Sequence, residues 1–74
     1  MNIQDFIDKL VETLEIEDAS AVTGETVFRD LDEWSSLSVM LLIAMFDEEF
    51  EKEITDKGIK ACKTVEDLYK FATE

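Results

Sequence analysis

Ile3, Phe6, Ile7, Leu10, Val11 and Leu14 recur at the i, i+3, i+4, i+7 spacing of one helical face, which predicts a helix over residues 3–14. Asn2 is placed to cap it, and Asp5 lies in the first turn, where the helix dipole favours an acid. From Glu15 to Trp34 no period is sustained. A connection that long in a compact domain is usually functional or disordered. Val22, Val27, Phe28, Leu31 and Trp34 are spaced as anchors that pin it to a bundle, and Gly24 supplies a turn. The expectation is an ordered loop with one short helical turn.

The periodicity resumes at about Ser36 and runs to Phe50, with Ser35 at the N-cap position. Thr55 or Asp56 opens a short third helix that ends at Ala61. Gly58 inside it costs about 1 kcal/mol relative to alanine, so that helix is expected to be marginal. Thr64-Val-Glu-Asp67 reads as a capping-box-like start to a fourth helix carrying Val65, Leu68, Tyr69, Phe71 and Ala72. Proline is absent, and no strand pair or internal repeat is visible. The fold class is all-α: one domain over residues 1–74, with three longer helices, one short third helix and a long first loop.

The second helix has apolar residues on two sides. Val39, Leu42, Ile43, Phe46 and Phe50 make a sufficient core stripe on a helical wheel. Leu37, Met40, Leu41, Ala44 and Met45 lie mostly on the other side. A helix in a bundle this small does not easily bury both, so part of the second set is expected to be exposed as a partner surface. Methionines suit an adaptable contact. The competing reading is that neighbouring loops cover them. The helix then ends in Asp47, Glu48, Glu49, Glu51 and Glu53, offset only by Lys52. Acids at a helix C-terminus oppose its dipole, which favours a role in recognising a basic partner over a merely solvated end.

Composition narrows the chemistry. A chain of 74 residues buries only about 60% of its unfolded surface, too little for a deep catalytic cleft. The net charge of −12 disfavours nucleic acid and anionic membranes and favours basic protein patches. An apolar content of 46% is too high for a disordered acidic tail. There is no histidine, and Cys62 is the single cysteine, so no disulfide or cysteine metal cluster forms within the chain. Cys62, after Ala61 and near Val65, reads as a small core residue, and a reducing cytoplasmic compartment fits. The longest apolar run, Val39 to Phe46, is far short of a membrane span. The acidic start, MNIQDFID, resembles neither a signal nor a transit peptide.

The second helix opens on Asp30-Leu-Asp-Glu-Trp-Ser-Ser-Leu37. Serines at a helix start are caps in most cases. A hydroxyl at the first helical position is also exposed, and a phosphate on it would meet free backbone N–H groups and the positive end of the dipole.

At this point the chain resembles the acyl carrier proteins, over nearly its full length. The family's central motif is Asp-Ser-Leu, with 4′-phosphopantetheine on the serine. The matching segment is Ser35-Ser36-Leu37. Phe28, Asp30 and Leu31 resemble the family's approach to that motif, one residue tighter after the phenylalanine. Glu48-Glu49-Phe50, Ile54, Asp56 and Thr64-Val65 resemble its later landmarks. Two departures stand out. Ser35 replaces the usual aspartate, which raises a register question: counting from Leu31 points to Ser35, whereas the serine–leucine pair and the spacing to Glu48 and Phe50 point to Ser36. Trp34 then occupies a one-residue insertion seen in some stand-alone carriers. Ser38 and Leu41 stand where fatty-acid-synthesis carriers usually have acids, which suggests partners other than the housekeeping fatty-acid enzymes.

The resemblance implies a protein with no catalytic residues and no metal. A phosphopantetheinyl transferase would move the arm from coenzyme A to Ser36, with Ser35 as the alternative. The arm's thiol would bear an acyl or aminoacyl thioester in fatty-acid, polyketide or related biosynthesis. Acyl-transferring or condensing enzymes with basic patches would dock on Leu37, Met40, Leu41, Met45, Asp47, Glu48, Glu49 and Asp56 of a cytoplasmic monomer. The rival from another class is an unmodified acidic interaction module. A calcium site ranks low, because Asp30-Leu-Asp-Glu lacks the alternating ligands and central glycine of an EF-hand loop.

Overall fold

A computed structural model describes residues 2–74. Four α-helices follow in order: α1 (Ile3–Leu14), α2 (Ser36–Phe50), α3 (Asp56–Ala61) and α4 (Val65–Thr73). These bounds agree with the periodicity. The connection from α1 to α2 carries two 3-10 turns, Ala19–Ala21 and Phe28–Asp30, where one short helical turn was expected.

The core lies between α1, α2 and α4, with α3 closing one side against α2. α1 contributes Phe6, Ile7, Leu10 and Leu14, the face its periodicity picks out. Phe6 sits at the centre of an aromatic cluster, with ring centroids 6.1 Å from Phe46, 5.6 Å from Phe50 and 5.7 Å from Tyr69. Offset and edge-to-face pairs at these separations add to the burial of the rings themselves. Lys9 and Glu49 tie α1 to α2 at 2.9 Å, and the hydrogen bond and charge of Glu49 push the Lys9 ammonium pKa up.

The long loop is ordered by its anchors. Val22 and Phe28 are buried, Leu31 and Trp34 pack on the core from partly exposed positions, and Phe28 stacks edge-on against Trp34 at 5.0 Å. The loop also completes α4. The first amides of a helix have no partner inside it. Here the Val65 N–H donates to the Thr26 carbonyl and the Glu66 N–H to the Gly24 carbonyl, both at 2.9 Å. The Thr64 hydroxyl accepts from the Asp67 N–H at 3.3 Å, while the Asp67 carboxylate accepts from the Lys63 and Thr64 amides. Those two bonds hold the Asp67 carboxyl below the usual range. Gly24 has ordinary backbone in its turn, and a Cβ there would meet only the flexible end of Ile3, Cδ1 at 2.9 Å.

α1 and α2 each end on a glutamate in the left-handed conformation, Glu15 at φ 55° and Glu51 at φ 52°. Glycine is the usual residue at such a position, because it lacks the Cβ that clashes there.

Candidate functional site

The site is built at the start of α2. Ser35 is the N-cap, with extended backbone, and Ser36 is the first helical residue. The well-formed bond that closes this cap comes from the third residue of the helix. Ser38 Oγ accepts from the Ser35 N–H at 3.0 Å and donates to the Glu33 carbonyl at 3.4 Å. The Ser35 side chain faces the Ser38 N–H as the looser, reciprocal half of a capping box, while that N–H donates to the Ser35 carbonyl at 3.0 Å. Ser38 is therefore structural. It is only 3% exposed, so it lies off the docking face on which the sequence comparison with fatty-acid carriers placed it. The signal that could have found it is a serine three residues after a serine N-cap, the reciprocal half of a capping box.

Ser36 is exposed, and its side chain enters no hydrogen bond among the described residues. The first turn of α2 contains no acid. Ser36 and Leu37 occupy helical positions whose amides have no acceptor inside the helix. A phosphoester on Ser36 thus fits: the hydroxyl is free, solvent reaches it, and the positive end of the α2 dipole lies beside it.

The exposed apolar face begins next to that hydroxyl. Leu37 is 60% exposed and Met40 68%, and Ala44 follows on the same side. Asp47 and Glu48 continue the exposed surface toward the helix end. Three expectations change. Met45 is 3% exposed and belongs to the core, so it is removed from the docking face. The buried stripe is Ser38, Leu42, Met45 and Phe46, rotated from the expected stripe so that Val39 and Ile43 are only partly buried. The physical reason is that α2 is apolar nearly all round, so its own pattern orients it weakly, and the capping of Ser38 at the loop end fixes the rotation. Leu41 is partly buried against the core and offers only an edge. Glu49 is exposed but held by Lys9. Asp56 is exposed on α3 and pairs with Lys60 at 3.2 Å.

Charge is unevenly divided. Residues 1–51 hold fourteen of the nineteen acids and two of the seven bases, whereas residues 52–74 hold five of each. The whole net charge of −12 therefore comes from the segment that contains α1, the loop and α2. Just before α2 an open hollow of about 270 Å³ is lined by Asp18, Asp30, Asp32 and Glu33 together with Ile16, Ala21 and Leu31. Among the described residues no group of His, Cys, Asp and Glu is arranged to hold a metal ion. Cys62 is buried, and burial pushes its thiol pKa up, which disfavours the thiolate a nucleophile needs. Among the described residues no helix is long and apolar enough to cross a membrane.

Comparison with known proteins gives one family and no individual relative. No curated protein and no solved structure matches the chain. Residues 4–72 match the family described as the phosphopantetheine attachment site. That span takes in all of α2 and nearly all of the bundle, so the chain belongs to this family, whose members are non-catalytic carriers with a covalently attached 4′-phosphopantetheine.

Proposed function

We propose that the chain is a single carrier domain that bears its 4′-phosphopantetheine on Ser36 and presents a thioester-bound acyl or aminoacyl group to partner enzymes. The observation that carries this assignment is the Ser36 hydroxyl, exposed and unbonded at the first position of α2, beside the exposed Leu37 and Met40. Ser35 is the weaker candidate, because its side chain faces the Ser38 N–H as half of the capping box, whereas Ser36 has no such partner. When bound, the arm supplies a thiol that accepts the cargo. The chain's own residues hold the attachment point at a capped helix start, offer an apolar contact and repel anionic surfaces.

The docking face is Leu37, Met40 and the edge of Leu41, continued by Asp47 and Glu48, with Glu49 and Asp56 at its margins. No acid stands between Ser36 and Ala44. Partners are therefore read as enzymes with an apolar contact near the arm and a basic patch further along α2. This pattern suits a pathway other than housekeeping fatty-acid synthesis, in a cytoplasmic monomer. Contact areas at the low end of protein interfaces would keep each complex transient, and charge complementarity would keep encounter fast.

Intact mass after incubation with coenzyme A and a broad-specificity phosphopantetheinyl transferase tests the assignment. The native chain and Ser35→Ala gain one phosphopantetheine, and Ser36→Ala gains none. Addition lost in Ser35→Ala and kept in Ser36→Ala would shift the site by one residue. No addition to a folded native chain, beside an active control carrier, would favour an unmodified interaction module, which the exposure of Leu37 and Met40 also suits.

A further inference from the structure

α3 is the helix least supported by its own sequence. It has six residues, carries Gly58 in its interior and is far shorter than a helix that persists alone. Thr55 Oγ1 closes its start by accepting from the Gly58 N–H at 3.2 Å. Its other end is held from outside. Arg29 Nη2 donates to the Ile59 carbonyl at 2.6 Å, the same carbonyl that accepts the Cys62 N–H at 3.0 Å. A cation on a late carbonyl also complements the helix dipole.

Arg29, the chain's only arginine, lies in the 3-10 turn Phe28–Asp30, within the loop that leads to Ser36. Its guanidinium carbon sits 4.8 Å from the centroid of the Phe28 ring. Phe28 is fully buried and stacks edge-on against Trp34, two residues before Ser36. A planar guanidinium can lie on a ring and donate in its own plane together, which an ammonium cannot reproduce. Trp34, Phe28, Arg29 and Ile59 thus form an unbroken line of contacts from the foot of α2 to the end of α3.

We propose that Arg29 is a latch that holds α3 closed and makes its opening depend on the position of Trp34. Displacing Trp34 at the foot of α2 moves Phe28, loosens the guanidinium and frees the Ile59 carbonyl. Such coupling is reciprocal, so opening α3 equally loosens the segment that leads into Ser36. A double-mutant cycle between Trp34 and Arg29 measures this coupling as an energy.

Amide hydrogen exchange on the full, unmodified chain tests the latch independently of whether Ser36 is ever loaded. Arg29→Gln should speed exchange at Ile59 and Cys62 by about tenfold to a hundredfold, the range for losing a hydrogen bond from a charged donor. Leu10 in α1 and Leu68 in α4 should not change. Trp34→Leu should speed the same two α3 amides in the native background and add little in Arg29→Gln. Should Arg29→Gln fail to fold, Arg29→Lys should raise α3 exchange and shrink the Trp34 effect. The latch is overturned by an equal rise in all helices, by no change at Ile59 and Cys62, or by a Trp34 effect that keeps its full size without Arg29.

Discussion

The two apolar faces of α2 have nearly the same chemistry and opposite surroundings. Leu42, Met45 and Phe46 are sealed in the core, whereas Leu37 and Met40 stand in solvent on the same helix. Hydrophobicity does not separate them. What separates them is what packs against each: α1 and α4 cover the first face, and no element among the described residues seals the second. Apolar side chains left in water add nothing to folding, so a helix chosen for stability alone would carry polar residues at 37 and 40. Met40 and Met45 are the sharpest pair, because one residue type serves the core in one place and the surface in the other.

That contrast can be broken or sharpened from the largest effect to the smallest. Met45→Ala should destabilise the fold by about 2–4 kcal/mol, the range for emptying a buried methionine site, measured by denaturant unfolding. Met40→Ala in the same experiment should change stability by less than about 0.5 kcal/mol while weakening capture by a partner enzyme. Equal losses would erase the distinction between the faces. Ser38→Ala leaves the Ser35 amide without its acceptor and should cost about 1–2 kcal/mol, more than Ser35→Ala. The reverse order would make the Ser35 side chain the stronger half of the box. Glu51→Gly relieves a left-handed glutamate and removes an acid from a helix C-terminus, so it should stabilise by about 0.5–1 kcal/mol. A loss of stability would show that Glu51 makes a contact the backbone does not reveal.

The elements were readable from the sequence because each is bounded by local chemistry. Asn2, Ser35, Thr55 and Thr64 all stand at N-caps, where short polar side chains belong. The face of α1 was readable because its polar and apolar residues are sharply divided. α2 was readable in extent but not in rotation. Its orientation depends on Ser38 reaching the Ser35 amide and the Glu33 carbonyl, a tertiary detail that a wheel of apolar residues cannot register. Ser36 was visible through the Ser36-Leu37 pair and its spacing to Glu48 and Phe50, and gains from the structure a free, exposed hydroxyl. The role of Arg29 was invisible, because its acceptor is a backbone carbonyl thirty residues away.

The backbone bonds between the first loop and α4 bear on the order in which the chain folds. Helical bundles usually fold fast because most of their contacts are local. Here the first two amides of α4 wait for carbonyls about forty positions earlier in the chain. Closing that span orders many residues before any bond rewards it. α4 should therefore consolidate only as the loop seats, which ties the last helix of the chain to the ordering of its first loop.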